Sequence, residues 1–94
     1  VKYIDWDELK NAKLKAERNI CFEDVQAAIE EGRVLDTVRH SNTKRYPNQQ
    51  ILIIRIGDYA YLVPYAEDGD KIFLKTIIPS RKATKQYLNK GDKL

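Results

Sequence analysis

The stretch Ile51-Leu52-Ile53-Ile54-Arg55-Ile56-Gly57-Asp58-Tyr59-Ala60-Tyr61-Leu62-Val63-Pro64-Tyr65 decides the fold of this chain. Its first six residues are almost all aliphatic and mostly β-branched, the composition of a central strand buried on both faces. Gly57-Asp58 supplies a two-residue hairpin turn. Tyr59 to Tyr65 reads as the returning strand, and Pro64, which has no amide proton to donate, predicts that this strand ends there or lies at an edge.

Toward the C-terminus, Glu67-Asp68-Gly69-Asp70 reads as a second turn and Lys71 to Ile78 as the last strand. Pro79 breaks it, and Ser80 caps a short helix running to about Leu88. Toward the N-terminus, the polar run from His40 to Gln49 is a loop, and Val34 to Arg39 alternates weakly as a first strand. Before it come two helices. Phe22, Val25, Ala28 and Ile29 line one face of the second, from about Phe22 to Glu31, with Gly32 as its stop. The first spans Asp5 to Arg18, with Asp5 as N-cap, Asn19 closing it, and Trp6, Leu9, Ala12, Ala16 and Ile20 as an apolar stripe. The expected fold is α+β: two N-terminal helices packed on a four-stranded, mainly antiparallel sheet, followed by a short C-terminal helix. It forms a single domain over residues 1–94.

Size and composition agree. Ninety-four residues make one core, and 43% hydrophobic with 33% charged residues is ordinary for a globular domain. No apolar run reaches the roughly 20 residues of a membrane span, and the first residues lack the apolar stretch of a secretory signal. The single cysteine, Cys21, has no disulfide or metal-binding companion. A cytoplasmic location without membrane contact is expected.

The net charge of +3 is mild, but its distribution is uneven. Residues 1–32 hold five Lys/Arg against eight Asp/Glu, a balance of −3, and residues 33–79 carry +2. From Ser80 onward, Arg81, Lys82, Lys85, Lys90 and Lys93 face Asp92 alone, giving +4. A solvated amphipathic tail accounts for this, as does a surface in which Arg81, Lys82 and Lys85 meet a phosphate backbone or an acidic partner segment.

Most catalytic constellations are missing. The four glycines are scattered rather than gathered into a phosphate loop, and one His with one Cys builds no clustered metal site, so neither metal nor cofactor is expected. Cys21, at a helix start between apolar residues, reads as structural, and the adjacent Glu30 and Glu31 as solvated. His40, the one histidine, is the residue type able to exchange protons near neutrality without a pKa shift, and it precedes a loop carrying Lys44, Arg45 and Tyr46. An imidazole, two cations and a phenol can hold a scissile phosphate and move a proton, which is what RNA cleavage by its own 2′-hydroxyl requires. A surface histidine in a basic loop is the plainer alternative.

Two segments add a resemblance. Trp6-Asp7-Glu8-Leu9-Lys10-Asn11 through Ile20-Cys21-Phe22-Glu23-Asp24-Val25, with Ile77-Ile78-Pro79-Ser80-Arg81-Lys82-Ala83-Thr84-Lys85, resemble the BrnT family of bacterial toxins. That family opens with a Trp-Asp/Asn and a Lys-Asn-containing helix, continues with Gly-Ile/Val-x-Phe-Glu, and finishes on an Ile-Ser-Ala-Arg-Lys-Ala-Thr-like segment. The resemblance implies a RelE-like fold and a ribonuclease activity that arrests translation. It also implies an antitoxin partner with a ribbon-helix-helix part, through which alone the complex would meet DNA. Arg81 and Lys82 match the family's Arg-Lys, and His40-Ser41 with Arg45 its His-Ser and Arg. Arg18 stands where many members have His, and Pro79-Ser80 where Ser-Ala is usual.

The resulting expectation is a metal-independent endoribonuclease toxin. His40, Arg81 and Tyr46 are the catalytic candidates, and Lys44, Arg45, Lys82, Lys85 and Arg18 would bind RNA. Two other classes stay open: a non-catalytic module binding a protein through its basic tail, and an accessory nucleic-acid domain stacking bases on Tyr46, Tyr59, Tyr61 and Tyr65.

Overall fold

The computed structural model describes residues 3–39, 44–45 and 49–88. The hairpin that decides the fold forms as read. β3 (Gln49–Ile56) pairs antiparallel with β4 (Tyr59–Asp68), Ile56 opposite Tyr59. Gly57 has φ +64 at the first turn position, the place where a type II′ turn demands glycine. β2 (Val34–Arg39) pairs antiparallel with the outer side of β3, with a bulge between Val34 and Asp36.

The sheet is larger than four strands and is mixed. Tyr3–Trp6 forms β1, parallel to β5 (Lys71–Leu74) at the far edge, so Tyr3 to Trp6 is strand where a helix was expected from Asp5. Ile4 and Trp6 point into the core while Tyr3 and Asp5 are exposed, the two-residue period of a strand. The helix α1 begins three residues later, at Glu8–Arg18, capped by Asp7, whose Oδ1 accepts from the Leu9 amide at 2.9 Å. At its other end Asn19 takes the left-handed conformation (φ 55°, ψ 37°), closing the helix as the sequence suggested.

The expected last strand divides. β5 ends at Leu74, the chain leaves the ladder at Lys75-Thr76-Ile77, and β6 (Ile78–Pro79) rejoins β4 opposite Tyr61 and Leu62. That break explains Pro64, which neither ends β4 nor lies at an edge. β4 runs on to Asp68 in the middle of the sheet, with order β1-β5-β4-β3-β2 and β6 also on β4. The Pro64 carbonyl accepts from the Lys75 amide at 2.8 Å, so its nitrogen faces the same side. The missing donor therefore falls in the gap between β5 and β6, where no ladder bond is required.

The two faces of the sheet carry different layers. On one, α1 and α2 (Phe22–Glu30) cover Leu52, Ile54, Val63, Tyr65 and Leu74 with Leu14, Ile20, Phe22, Val25 and Ala28. Trp6 stacks on Phe22 at 5.7 Å between ring centroids. The stripe expected on α1 is displaced: Leu9 is 82% exposed, and the inward positions are Leu14 and the polar Asn11. Asn11 joins the helices, its Oδ1 accepting from the Phe22 amide at 2.7 Å and its Nδ2 donating to Glu23 Oε1 at 2.8 Å. On the other face, the short helix α3 (Arg81–Ala83) continues into a π-helical turn, Thr84–Leu88, which packs Ala83, Tyr87 and Leu88 on Ile53, Ala60, Leu62 and Leu35. Ile53 and Ile54, adjacent in β3, are thus buried in opposite layers. Among the described residues no helix is long and apolar enough to cross a membrane.

Candidate functional site

The C-terminal basic segment is anchored before it is exposed. Ser80 caps α3, its hydroxyl accepting from the Ala83 amide at 3.0 Å. The Ser80 amide donates to the Ala60 carbonyl at 3.0 Å, and the Ala60 amide donates to Thr84 Oγ1 at 2.9 Å. The Thr84 hydroxyl in turn donates to the Ser80 carbonyl at 2.8 Å. The start of the helix is therefore clamped to the central strand through both polar groups of Ala60. Arg81, Lys82 and Lys85 project from this clamp, all exposed and none ion-paired among the described residues. Tyr87, further along, donates from its hydroxyl to Asp36 Oδ2 of β2 at 2.6 Å.

Beside the helix lies an apolar groove of about 180 Å³, lined chiefly by Val38, Ile51, Ile53, Leu62, Ala83 and Tyr87, with Lys82 among its walls. It occupies the part of the sheet face that the short helix leaves uncovered. The groove was not legible in the sequence, because a short helix after the last strand does not reveal how much of the sheet it leaves uncovered.

The candidate residues divide by position. Arg81, Lys82 and Lys85 share one helical segment. Lys44 and Arg45 are exposed in a turn. His40 and Tyr46 lie outside the described residues. Arg18 stands apart from the C-terminal cations: it belongs to α1, on the face of the sheet that α1 and α2 cover, and its Nη1 donates to the Ile77 carbonyl at 3.0 Å. Its place in the chain says nothing of layer, and the layer separates it from α3.

Protonation follows these contacts. The Tyr87 hydroxyl, then the Thr37 amide, hold the Asp36 carboxyl below its ordinary range, and the same bond pushes the Tyr87 phenol up. The Asn11 amide lowers Glu23 in the same way. Burial pushes the Cys21 thiol up despite its place at a helix start, so it is held as a thiol rather than a nucleophilic thiolate. Among the described residues, the tyrosines named as base stackers are at least partly buried. Tyr65 is buried, with its hydroxyl on Gln50 at 2.7 Å, while half-buried Tyr59 and Tyr61 pack edge to face at 5.7 Å. Tyr46 lies outside the described residues.

No family model matches the chain, and no curated protein or solved structure matches it significantly.

Proposed function

We propose that this chain is the toxin of a cytoplasmic toxin–antitoxin pair, a metal-independent endoribonuclease of the BrnT kind held inactive by a ribbon-helix-helix antitoxin. The observation that carries the reading is the clamped helix start, from which Arg81, Lys82 and Lys85 extend beside an open groove. Three cations on a rigid base suit a phosphodiester strand, because their geometry is fixed before the ligand arrives. Arg81 supplies the planar fork that meets phosphate oxygens in pairs and stabilises the charge that builds on them during cleavage. Lys82 and Lys85 act as point charges along the strand, with Lys44 and Arg45 as further contacts. Proton transfer falls to His40, with Tyr46 as its partner.

The experiment is inducible expression of the chain alone, following growth and bulk RNA. Wild type should arrest growth and fragment RNA. Arg81→Ala should restore growth at equal protein level with an unchanged melting curve. His40→Ala should slow cleavage by about 10²–10⁴ while RNA binding persists. If wild type leaves growth and RNA untouched, the reading fails.

A second reading rests on the groove itself. Its lining is mainly apolar, and a module that binds a protein segment, with the cations attracting acidic side chains, would use it directly. Tight capture of a partner by a chain that is harmless when expressed alone would favour this reading.

A further inference from the structure

On the face of the sheet that α1 and α2 cover, Lys10, Lys13, Leu14, Glu17 and Arg18 recur on α1 at intervals of three and four, one continuous strip of its surface. Together with Thr76, from the break between β5 and β6, they enclose a cleft of about 170 Å³. Leu14, 4% exposed, is the buried member of the set, and the others carry three positive charges and one negative.

Lysines bordering a helix usually lay their stems on apolar surface and send their ammonium groups into water. Here Lys10, Lys13 and Arg18 all line one concavity. Among the described residues Lys10, Lys13, Glu17 and Arg18 form no ion pair, and Lys10 and Lys13 stand at a spacing where like charges repel. Arg18 is already fixed, since one nitrogen donates to the Ile77 carbonyl, and its remaining N–H groups are available to a ligand.

We propose that this cleft binds a phosphate group, with Lys10, Lys13 and Arg18 as its charged donors and the Thr76 hydroxyl at its wall. The balance of +2 fits a dianion better than a carboxylate, which would neutralise half of it. A terminal phosphate meets that condition and inorganic pyrophosphate, with two ionised phosphates, carries at least that charge, whereas an internal phosphodiester carries one charge. The site lies across the sheet from α3 and stands independently of the toxin reading.

The test is titration of the ¹⁵N-labelled full chain with inorganic pyrophosphate at low ionic strength, followed by amide shifts. Saturable shifts are expected in α1 from Lys10 to Arg18 and at Thr76 and Ile77. Lys10→Gln/Lys13→Gln should weaken binding about tenfold or more, the size expected for losing charge-assisted hydrogen bonds. Arg81→Gln/Lys82→Gln should leave it unchanged. Shifts that grow without saturating, that fall equally on α3, or that persist in the Lys10/Lys13 variant would overturn the proposal. Two oligoribonucleotides identical but for a 5′-phosphate or 5′-hydroxyl separate the sources. If only the phosphorylated strand moves the same amides, the ligand is a strand end; if only pyrophosphate does, it is a free phosphate. Loss of pyrophosphate binding would leave the toxin reading standing, and a chain harmless to growth would leave the cleft standing.

Discussion

Phe22 has no exposed surface, stacks on Trp6 and lies at the start of α2, where its amide is held by Asn11. Truncating it to alanine removes most of an aromatic side chain from a core of 94 residues, and Phe22→Ala should cost about 3–5 kcal/mol in denaturant unfolding. Leu9 offers the matched control. It belongs to the apolar stripe expected on the first helix but is 82% exposed, so Leu9→Ala should stay within about 0.5 kcal/mol. Equal losses in the two variants would refute the burial assigned to them. The Tyr87–Asp36 bond makes a prediction in pH. Asp36 is depressed, so its contribution is present above its unfolded pKa and is lost as pH falls through the lower folded value. Tyr87 is raised, so its contribution is present below its unfolded pKa and is lost as pH rises through the higher folded value. The melting difference between wild type and Tyr87→Phe should therefore be flat from about pH 5 to 9 and shrink at both extremes. A difference constant into strong acid would show that Asp36 is not the partner.

Thr84 is the joint between two elements: its hydroxyl accepts the Ala60 amide, and both ends of that bond are buried. Thr84→Val keeps the shape but strands a buried amide of the central strand, and should cost about 1–3 kcal/mol. Thr84→Ser should retain most of the lost stability, and a valine variant as stable as wild type would mean the clamp is idle. Elements of this kind were legible in the sequence where their signals are local. Gly57-Asp58 between two apolar runs, Ser80 after Pro79, Asn19 and Gly32 at helix ends each state a backbone conformation in one or two residues. β1 was illegible because only Ile4 and Trp6 show its alternation, and its partner β5 lies almost seventy residues away. The division of Lys71–Ile78 was hidden because Thr76 and Ile77 are good strand formers on their own. Pro64 misled for a related reason: whether a missing donor matters depends on what lies beside it, here a gap made by a later segment. In the candidate site, exposure of Arg81, Lys82 and Lys85 could be read from a capped, basic helix. The layer that Arg18 occupies could not, since it depends on how α1 docks.

At the scale of the whole molecule, the sheet separates two cationic surfaces, one on α3 and its π-helical extension and one on α1, and a bound strand must choose between them or span both. Counterion release turns that choice into a measurable slope. Each phosphate neutralised on a single strand contributes about −0.7 to the dependence of log K on log salt. A strand held by Arg81, Lys82 and Lys85 alone should therefore show a slope of about −2, and Arg81→Ala should reduce its magnitude by about 0.7. If Lys44 and Arg45 also engage, the slope should steepen toward about −3.5, and substituting both should return it to about −2. Fluorescence anisotropy of a labelled oligoribonucleotide with a 5′-hydroxyl, over a range of salt, measures this without requiring cleavage. The Lys10→Gln/Lys13→Gln variant should leave the slope untouched, because that strand lacks the terminal phosphate proposed for the α1 cleft. A slope near zero with micromolar or tighter binding would mean that the apolar groove, rather than its charged border, holds the ligand. A slope that falls with the α1 variant and ignores Arg81 would move the RNA-binding face to the opposite side of the sheet.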